Sequence, residues 1–326
     1  MPPYKNCVLC PRRCAVDREA GQIGYCGETA ALRLAFAGIH RGEEPPLTGK
    51  GGSGTVFVSG CNLGCAFCQN FQISQGAGGA GMGRGVDTGE FADICLALQG
   101  KGAENINIVT GSHAAPALAL GIEEARKHGL SIPVLWNSSG YDGTETLEIL
   151  RDVVDVYLPD LKTLDSGIAV RFFNASDYPE TAAQAIKKMM EYRELRFVDG
   201  AMVSGVMLRH LVIPGYPEAT RQVLRWFSEN CVGNCRGNNH SRALLSLMTQ
   251  YTPVQADSGR KTHIPGRYVS EDEYDAVLAM LDEFGIDDGF CQELVTGSEW
   301  LPDFNRPNPF SSELSVPVWH WRFPQQ

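Results

Sequence analysis

Six apolar runs alternate with amphipathic segments between residues 55 and 284, and this alternation leaves few architectures open. The runs are 55–59, 105–110, 132–136, 154–159, 206–213 and 243–248. The amphipathic segments lie near 88–101, 114–128, 144–151, 177–195, 217–230 and 270–284. Short continuous apolar runs read as strands buried on both faces, and their alternation with helices predicts βα units around a parallel sheet. Six units are too few for a closed eightfold barrel. The expected fold is therefore α/β, a partial (β/α)6 TIM-like barrel open on one side, with reactive residues at the carboxyl ends of strands.

One loop stands where such a barrel would put chemistry. Thr55-Val56-Phe57-Val58 runs into Ser-Gly-Cys61-Asn-Leu-Gly-Cys65-Ala-Phe-Cys68-Gln-Asn, a Cys-x3-Cys-x2-Cys spacing. A cubic [4Fe–4S] cluster closed by protein takes four thiolates. Three from one short loop leave one iron open, and an open coordination position marks a reactive metal site rather than a scaffold. The bland alternative is three cysteines of a zinc site or of a buried turn.

A second cysteine group precedes the barrel. Cys7-x2-Cys10-x3-Cys14-x11-Cys26, with Pro11 and Gly27 in the turns, reads as a complete four-thiolate site for zinc or a second iron–sulfur cluster. Being coordinatively full, it suits a structural role, or electron relay if it holds iron. Metal binding there would order a segment otherwise poor in apolar residues. The chain thus divides into residues 1–50, a turn-rich metal-binding segment with four cysteines; 51–284, the barrel; and 285–326, an aromatic and proline-rich tail packed across it.

Bulk properties narrow the partners. The 326 residues carry eleven cysteines and a net charge of −10, which argues against nucleic acid and anionic membranes as partners. No apolar run approaches the ~18 residues of a membrane span. The beginning, Met1 to Cys7, has no signal-peptide core, so a cytoplasmic, reducing location is expected. Gly76-Ala-Gly-Gly-Ala-Gly81 matches G-x-G-x-x-G but follows the cysteine loop instead of a strand. It reads as a mobile connection, not a dinucleotide site. Cys231-x3-Cys235 with His240 nearby reads as a surface loop, the alternative being a third metal site.

Polar groups gather at the strand ends: Thr110-Gly-Ser112-His113, Asn137-Ser138-Ser139, Asp160-Leu-Lys162, Arg209-His210 and Gln250-Tyr251. Groups so placed converge on one cavity. Arg209 suits a carboxylate, Lys162 a carboxylate or ribose oxygen with Asp160 holding it, and Gln69 and Asn70 hydrogen bonds around the cluster.

The cysteine loop resembles the signature of the radical S-adenosylmethionine superfamily. Cys10-Pro-Arg-Arg-Cys14, Gly24-Tyr-Cys26-Gly27, Gly52 to Cys61, Gln69 to Ser74, Tyr157-Leu-Pro-Asp-Leu-Lys162, Arg209 to Gly215 and Trp300-Leu-Pro-Asp-Phe304 are similar to stretches of glycyl-radical-enzyme activases and of pyruvate formate-lyase activating enzyme-like proteins. The resemblance implies a [4Fe–4S] cluster on Cys61, Cys65 and Cys68, with S-adenosylmethionine chelating the free iron. It implies reductive cleavage to a 5′-deoxyadenosyl radical that abstracts hydrogen from a substrate, and a one-electron donor such as flavodoxin or ferredoxin. Phe67 would lie by the adenine, and Asn70, Thr110, Ser112, Ser138, Asp160, Lys162, Arg209 and Gln250 would contact the cofactor. The target expected of an activase is a glycyl loop on a partner enzyme. Alternatives are a small molecule or a peptide, or a non-catalytic iron–sulfur or zinc protein that senses redox state or binds a partner. Activases carry Gly-Gly-Glu-Pro after the second strand. Here Thr110-Gly-Ser-His-Ala-Ala-Pro116 stands instead, with Thr110 or Ser112 taking over the contact, and a strand-end histidine of some activases is replaced by Gln250.

Overall fold

A computed structural model describes residues 4–74, 81–232, 241–254, 264–298 and 300–323. Most of the glycine-rich stretch 76–81, together with Cys235 and His240, lies outside the described residues. In chain order the elements are β1 (Arg33–His40), α1 (Pro45–Thr48), β2 (Ser53–Val58), α2 (Phe71–Ser74), β3 (Arg84–Gly85), α3 (Thr88–Gly100), β4 (Ile106–Val109), α4 (Ala115–Lys127), β5 (Val134–Ser138) and α5 (Thr144–Leu150). Then follow β6 (Val156–Pro159), α6 (Ser166–Phe173), α7 (Tyr178–Tyr192), β7 (Arg196–Val198), β8 (Ala201–Leu211), α8 (Pro217–Asn230), β9 (Leu244–Met248), α9 (Glu271–Phe284), β10 (Gly289–Cys291) and β11 (Ser315–His320).

All six expected strands form, as β2, β4, β5, β6, β8 and β9, each parallel to the next. The sheet order is β10-β9-β8-β6-β5-β4-β2-β1-β11, an open, largely parallel α/β arrangement of the partial-barrel kind. The six expected helices appear as α3, α4, α5, α7, α8 and α9. Their starts carry ordinary capping chemistry. Asp87 and Asp165 accept amides of their first turns, Ser270 and Glu273 form a reciprocal capping box, and Pro opens α4, α7 and α8.

The edges were not expected. β1, inside a segment read as turn-rich, pairs antiparallel with β2. Both ends of the sheet come from the C-terminal segment: β10 lies parallel to β9, and β11 antiparallel to β1. That segment therefore completes the sheet as well as packing on it. Pro317 within β11 is tolerated because an edge strand need not donate on its outer side.

Alternation divides the strand side chains into two sets. Val56, Ile108, Trp136, Tyr157, Leu208 and Leu245 point to the helices and form the main core. Leu135, Val156, Leu158, Met202 and Met207 form a separate inner cluster with Leu47 of α1. The short α1 thus plugs the inner face of the sheet, and the segment just before it is aligned with the strand interiors. Among the described residues no helix is long and apolar enough to cross a membrane.

Candidate active site

The cysteine loop leaves β2 through two glycines that need left-handed backbone, Gly60 at φ +84° and Gly64 at φ +66°. A Cβ on Gly60 would come within 2.5 Å of Glu28 and 2.8 Å of the Cys26 carbonyl, so only glycine lets these segments approach. The amides of Leu63 and Gly64 both donate to Cys61 Sγ at 3.4 Å, and Cys68 Sγ lies 3.2 Å from Ser74 Oγ. Such N–H and O–H groups favour a thiolate. Burial acts the other way: it pushes the Cys68 thiol up to about 11 and raises Cys65 further, against the pull of Lys162.

Cys61, Cys65 and Cys68 open onto a cavity of about 230 Å³. Of the residues expected at the cofactor, Phe67, Asn70, Thr110, Ser138, Asp160, Lys162, Arg209 and Gln250 all line it. Ser112 does not; it is buried against Asp142, to which Ser138 also donates at 2.5 Å. Ser112 thus stands behind the cavity wall, whereas Thr110, the other residue expected to make that contact, lines it. Phe67 is edge-on to Phe172 and Phe173 of α6 and packed against Tyr251, so its ring is held on three sides. The Gln69 amide reaches the Gln250 carbonyl at 2.6 Å. Thr110 adopts φ +62°, a rare backbone state for a β-branched residue, at the end of β4.

Two charged pairs sit in the wall. Lys162 Nζ is 2.5 Å from Asp160 Oδ2. Burial opposes the ammonium, yet Asp160 and the Cys65 sulfur outweigh it and hold the Lys162 pKa above the ordinary lysine value. Arg209, expected to be available for a ligand carboxylate, already faces Glu43 at 3.3 Å and Glu44 at 3.4 Å. Both acids lie in the segment before α1. No local pattern could have found them, because their partner sits on β8; recognising β1 would have shown that the chain after it turns inward. His40, Trp300 and Phe310 also line the cavity and were not foreseen. His210 lies on the helix side, where its Nδ1–H donates to the Leu161 carbonyl and Nε2 accepts from Thr220.

The first cysteine group packs beside this loop. Cys7, Cys10 and Cys26 are buried. A Cβ on Gly24 would lie 3.3 Å from both Cys14 Sγ and Cys26 Sγ, so these two sulfurs flank one point. Burial pushes Cys10 up to about 11 and Cys26 to about 12. Buried Arg18 approaches Cys7 Sγ at 3.8 Å and donates to the His113 carbonyl at 2.7 Å. Arg12, between the second and third thiols, reaches the carbonyls of Asn62, Leu63, Phe173 and Asn174 and stacks on Tyr25. Sequence reasoning quoted Arg12 only as part of a motif.

Among the described residues no three His, Cys, Asp or Glu side chains already stand in metal-ligating geometry. The fit to a cluster rests on donor chemistry. Three thiols share one cavity wall; burial holds Cys65 and Cys68 in the neutral form, and a cationic metal centre supplies the charge that makes thiolates of them. By that test Cys61, Cys65 and Cys68 fit a cluster. Burial holds Cys10 and Cys26 neutral in the same way, so the N-terminal cysteine group also suits a metal.

Comparison with known proteins agrees with the loop. An uncharacterized protein of Methanocaldococcus jannaschii is 26% identical over 288 residues, covering 87% of this chain and 76% of that protein. Among solved structures, SuiB of Streptococcus suis superposes with a TM-score of 0.48 at 15% identity, over 72% of this chain and 47% of that one, so the chain spans about half of SuiB. A domain of pyruvate-formate lyase-activating enzyme from Bacteroides vulgatus gives 0.35 at 15% identity, over 54% of this chain and 89% of that domain. Residues 55–227, more than half the chain and including the three-cysteine loop, match the Radical SAM superfamily, and the chain belongs to that superfamily.

Proposed function

We propose that this chain is a radical S-adenosylmethionine enzyme whose Cys61, Cys65 and Cys68 hold a [4Fe–4S] cluster, with S-adenosylmethionine bound in the adjoining cavity. When bound, the pair supplies a 5′-deoxyadenosyl radical through one-electron cleavage of the sulfonium bond, the electron coming from a donor such as a flavodoxin or ferredoxin. The observation carrying this reading is that three thiols, with no fourth cysteine among the described lining residues, share one cavity with strand-end polar groups. The chain's part is binding, charge and exclusion of water. Lys162, fixed by Asp160, sets a positive charge beside Cys65. Phe67 offers a braced aromatic face for the adenine, Asn70, Thr110, Ser138 and Gln250 offer polar contacts, and Trp300, Phe57 and Phe310 add apolar lining. Arg209 attracts a carboxylate less than expected, because Glu43 and Glu44 share its charge. Ser112 supports the wall through Asp142.

The four thiols of Cys7, Cys10, Cys14 and Cys26 hold zinc or a second iron–sulfur cluster in this reading, with a structural part in fixing the catalytic loop. Elemental analysis and Mössbauer spectra of wild type and Cys10→Ala distinguish the two metals.

For the target, an activase-like reading gives a glycyl loop of a partner enzyme. A second reading, direct action on a small molecule or peptide side chain, is favoured by a second cavity that abuts the first. Reconstituted protein, dithionite and S-adenosylmethionine should yield 5′-deoxyadenosine. No product from protein with an intact cluster would sink the enzymatic proposal and favour a sensing or interaction role. A glycyl radical seen by electron spin resonance on a partner, against deuterium carried from a labelled small substrate into 5′-deoxyadenosine, separates the two targets.

A further inference from the structure

The second cavity measures about 360 Å³ and shares Gly42, Glu43, Arg209, Met248 and Gln250 with the cysteine-lined one. Its volume falls within the range of small-ligand sites. Glu44, which lines only this second cavity, is the feature that decides its chemistry. The Glu43 and Glu44 side chains are each 8% exposed, and together they face a single guanidinium, Arg209. Asp160 does not alter this balance, since it is matched by Lys162. Among the described residues the wall therefore sets two buried carboxyls against one cation.

The acceptors are also incompletely used. Glu44 Oε1 accepts from Ser246, and Glu43 Oε1 accepts from Asn107 at 3.0 Å. Glu44 Oε2 is buried without a hydrogen-bond partner, whereas Glu43 Oε2 meets only the Arg209 guanidinium, at 3.3 Å. A buried acceptor left unmade is costly, more so when charged, so a cationic donor entering this cavity recovers part of that cost. Burial and, after the opposing pull of Arg209, Glu44 push the Glu43 carboxyl up, so Glu43 holds a proton more readily than a free glutamate, and a cation entering the cavity favours its ionised form.

We propose that this cavity binds a protonated primary amine of the substrate, received by Glu44 and Glu43, so that the carbon chain bearing it extends to the shared wall. The proposal rests on the radical reading above for what then happens to that carbon, but the binding itself does not. An ammonium brings three donors to carboxyl oxygens and neutralises the surplus negative charge. A carboxylate ligand would be repelled, and a neutral alcohol would leave the charge unmet.

The test is calorimetric titration of the full-length, cluster-reconstituted protein with n-butylamine, n-butanol and butyrate, compounds of similar size and different charge. Butylamine should bind at least about tenfold tighter than butanol, and butyrate should not bind. Nα-acetyl-lysine amide distinguishes the source of the amine: if it binds tighter than butylamine, the ligand is a peptide side chain, and the reverse order points to a free small amine. Glu44→Gln, which keeps the shape, should weaken butylamine by about tenfold or more. Equal affinity for butylamine and butanol, or no binding of butylamine, overturns the proposal on the unmodified protein, whether or not the variant folds. Undiminished butylamine binding by a folded Glu44→Gln variant does the same. Cleavage of S-adenosylmethionine by the same preparation without amine reports separately on the radical reading.

Discussion

The amide of Cys61 donates to the carbonyl of Cys26 across 3.2 Å. One residue of each cysteine group thus shares a single backbone hydrogen bond, and the approach depends on Gly60. The fold of the first group bears directly on the position of the first thiol of the second. Outer-shell partners of this kind typically change metal affinity by about 10–100-fold. Cys10→Ala, which alters no residue of the Cys61 loop, should therefore lower iron affinity at that loop by about tenfold. Iron titration followed by Mössbauer spectroscopy measures this; full loading of the loop in the variant would uncouple the two sites.

Arg12 makes the second link. Its guanidinium donates to four carbonyls, two in the cysteine loop and two at the C-terminal end of α6. Lysine has neither the planar fork nor the number of donors to replace it. Arg12→Lys should cost about 2–3 kcal/mol in urea unfolding and slow cluster reconstitution. A loss of stability with normal reconstitution would confine Arg12 to a packing role.

Neutral buried histidines set the acid limit. Burial lowers His210 to about 4, and burial does the same at His113 and His40, with nearby arginines adding to it. The unfolded chain takes up these protons near pH 6.5, whereas the folded one does so only near 4. Stability is therefore fully present above pH 6.5 and is lost as pH falls toward 4, at about 1.4 kcal/mol per pH unit for each histidine inside that window. Denaturant midpoints at pH 7, 6 and 5 should fall steadily. His210→Gln should be less stable at pH 7 yet show a shallower slope, and an unchanged slope would mean that His210 does not contribute.

The sequence was most legible where strands buried on both faces stand between turn residues and carry at most one polar residue. β4, β6 and β9 are short apolar runs between turn residues, and each appeared within a few residues of its expected place. β1 was hidden because Gly38 and three neighbouring small or charged residues break its apolar pattern, and because cysteine-rich turns precede it. Its small residue is required: a Cβ on Gly38 would meet Phe36 and the Val316 carbonyl below 3 Å. β11 was hidden by Pro317. At the site, the thiols and strand ends could be read because each lies next to its strand in sequence. The Glu43–Arg209–Glu44 cluster could not, since it joins a segment before the barrel to its fifth parallel strand.

Thr110 carries the last prediction. It lines the cavity at φ +62°, where the β-branched side chain crowds the backbone, while its amide is held by the Asn137 carbonyl at 2.9 Å. The left-handed state costs a side-chain-bearing residue about 1–2 kcal/mol, and glycine escapes most of it. Thr110→Gly should therefore raise unfolding stability by about 1 kcal/mol after allowing for the freer unfolded chain. The same change removes a hydroxyl from the cavity wall, so affinity for S-adenosylmethionine should fall as stability rises. Opposite movements of the two quantities, measured by denaturation and by equilibrium dialysis on one preparation, would identify strain kept for binding. A variant less stable than wild type would show that the hydroxyl supports the fold, and the strain argument at β4 would fail.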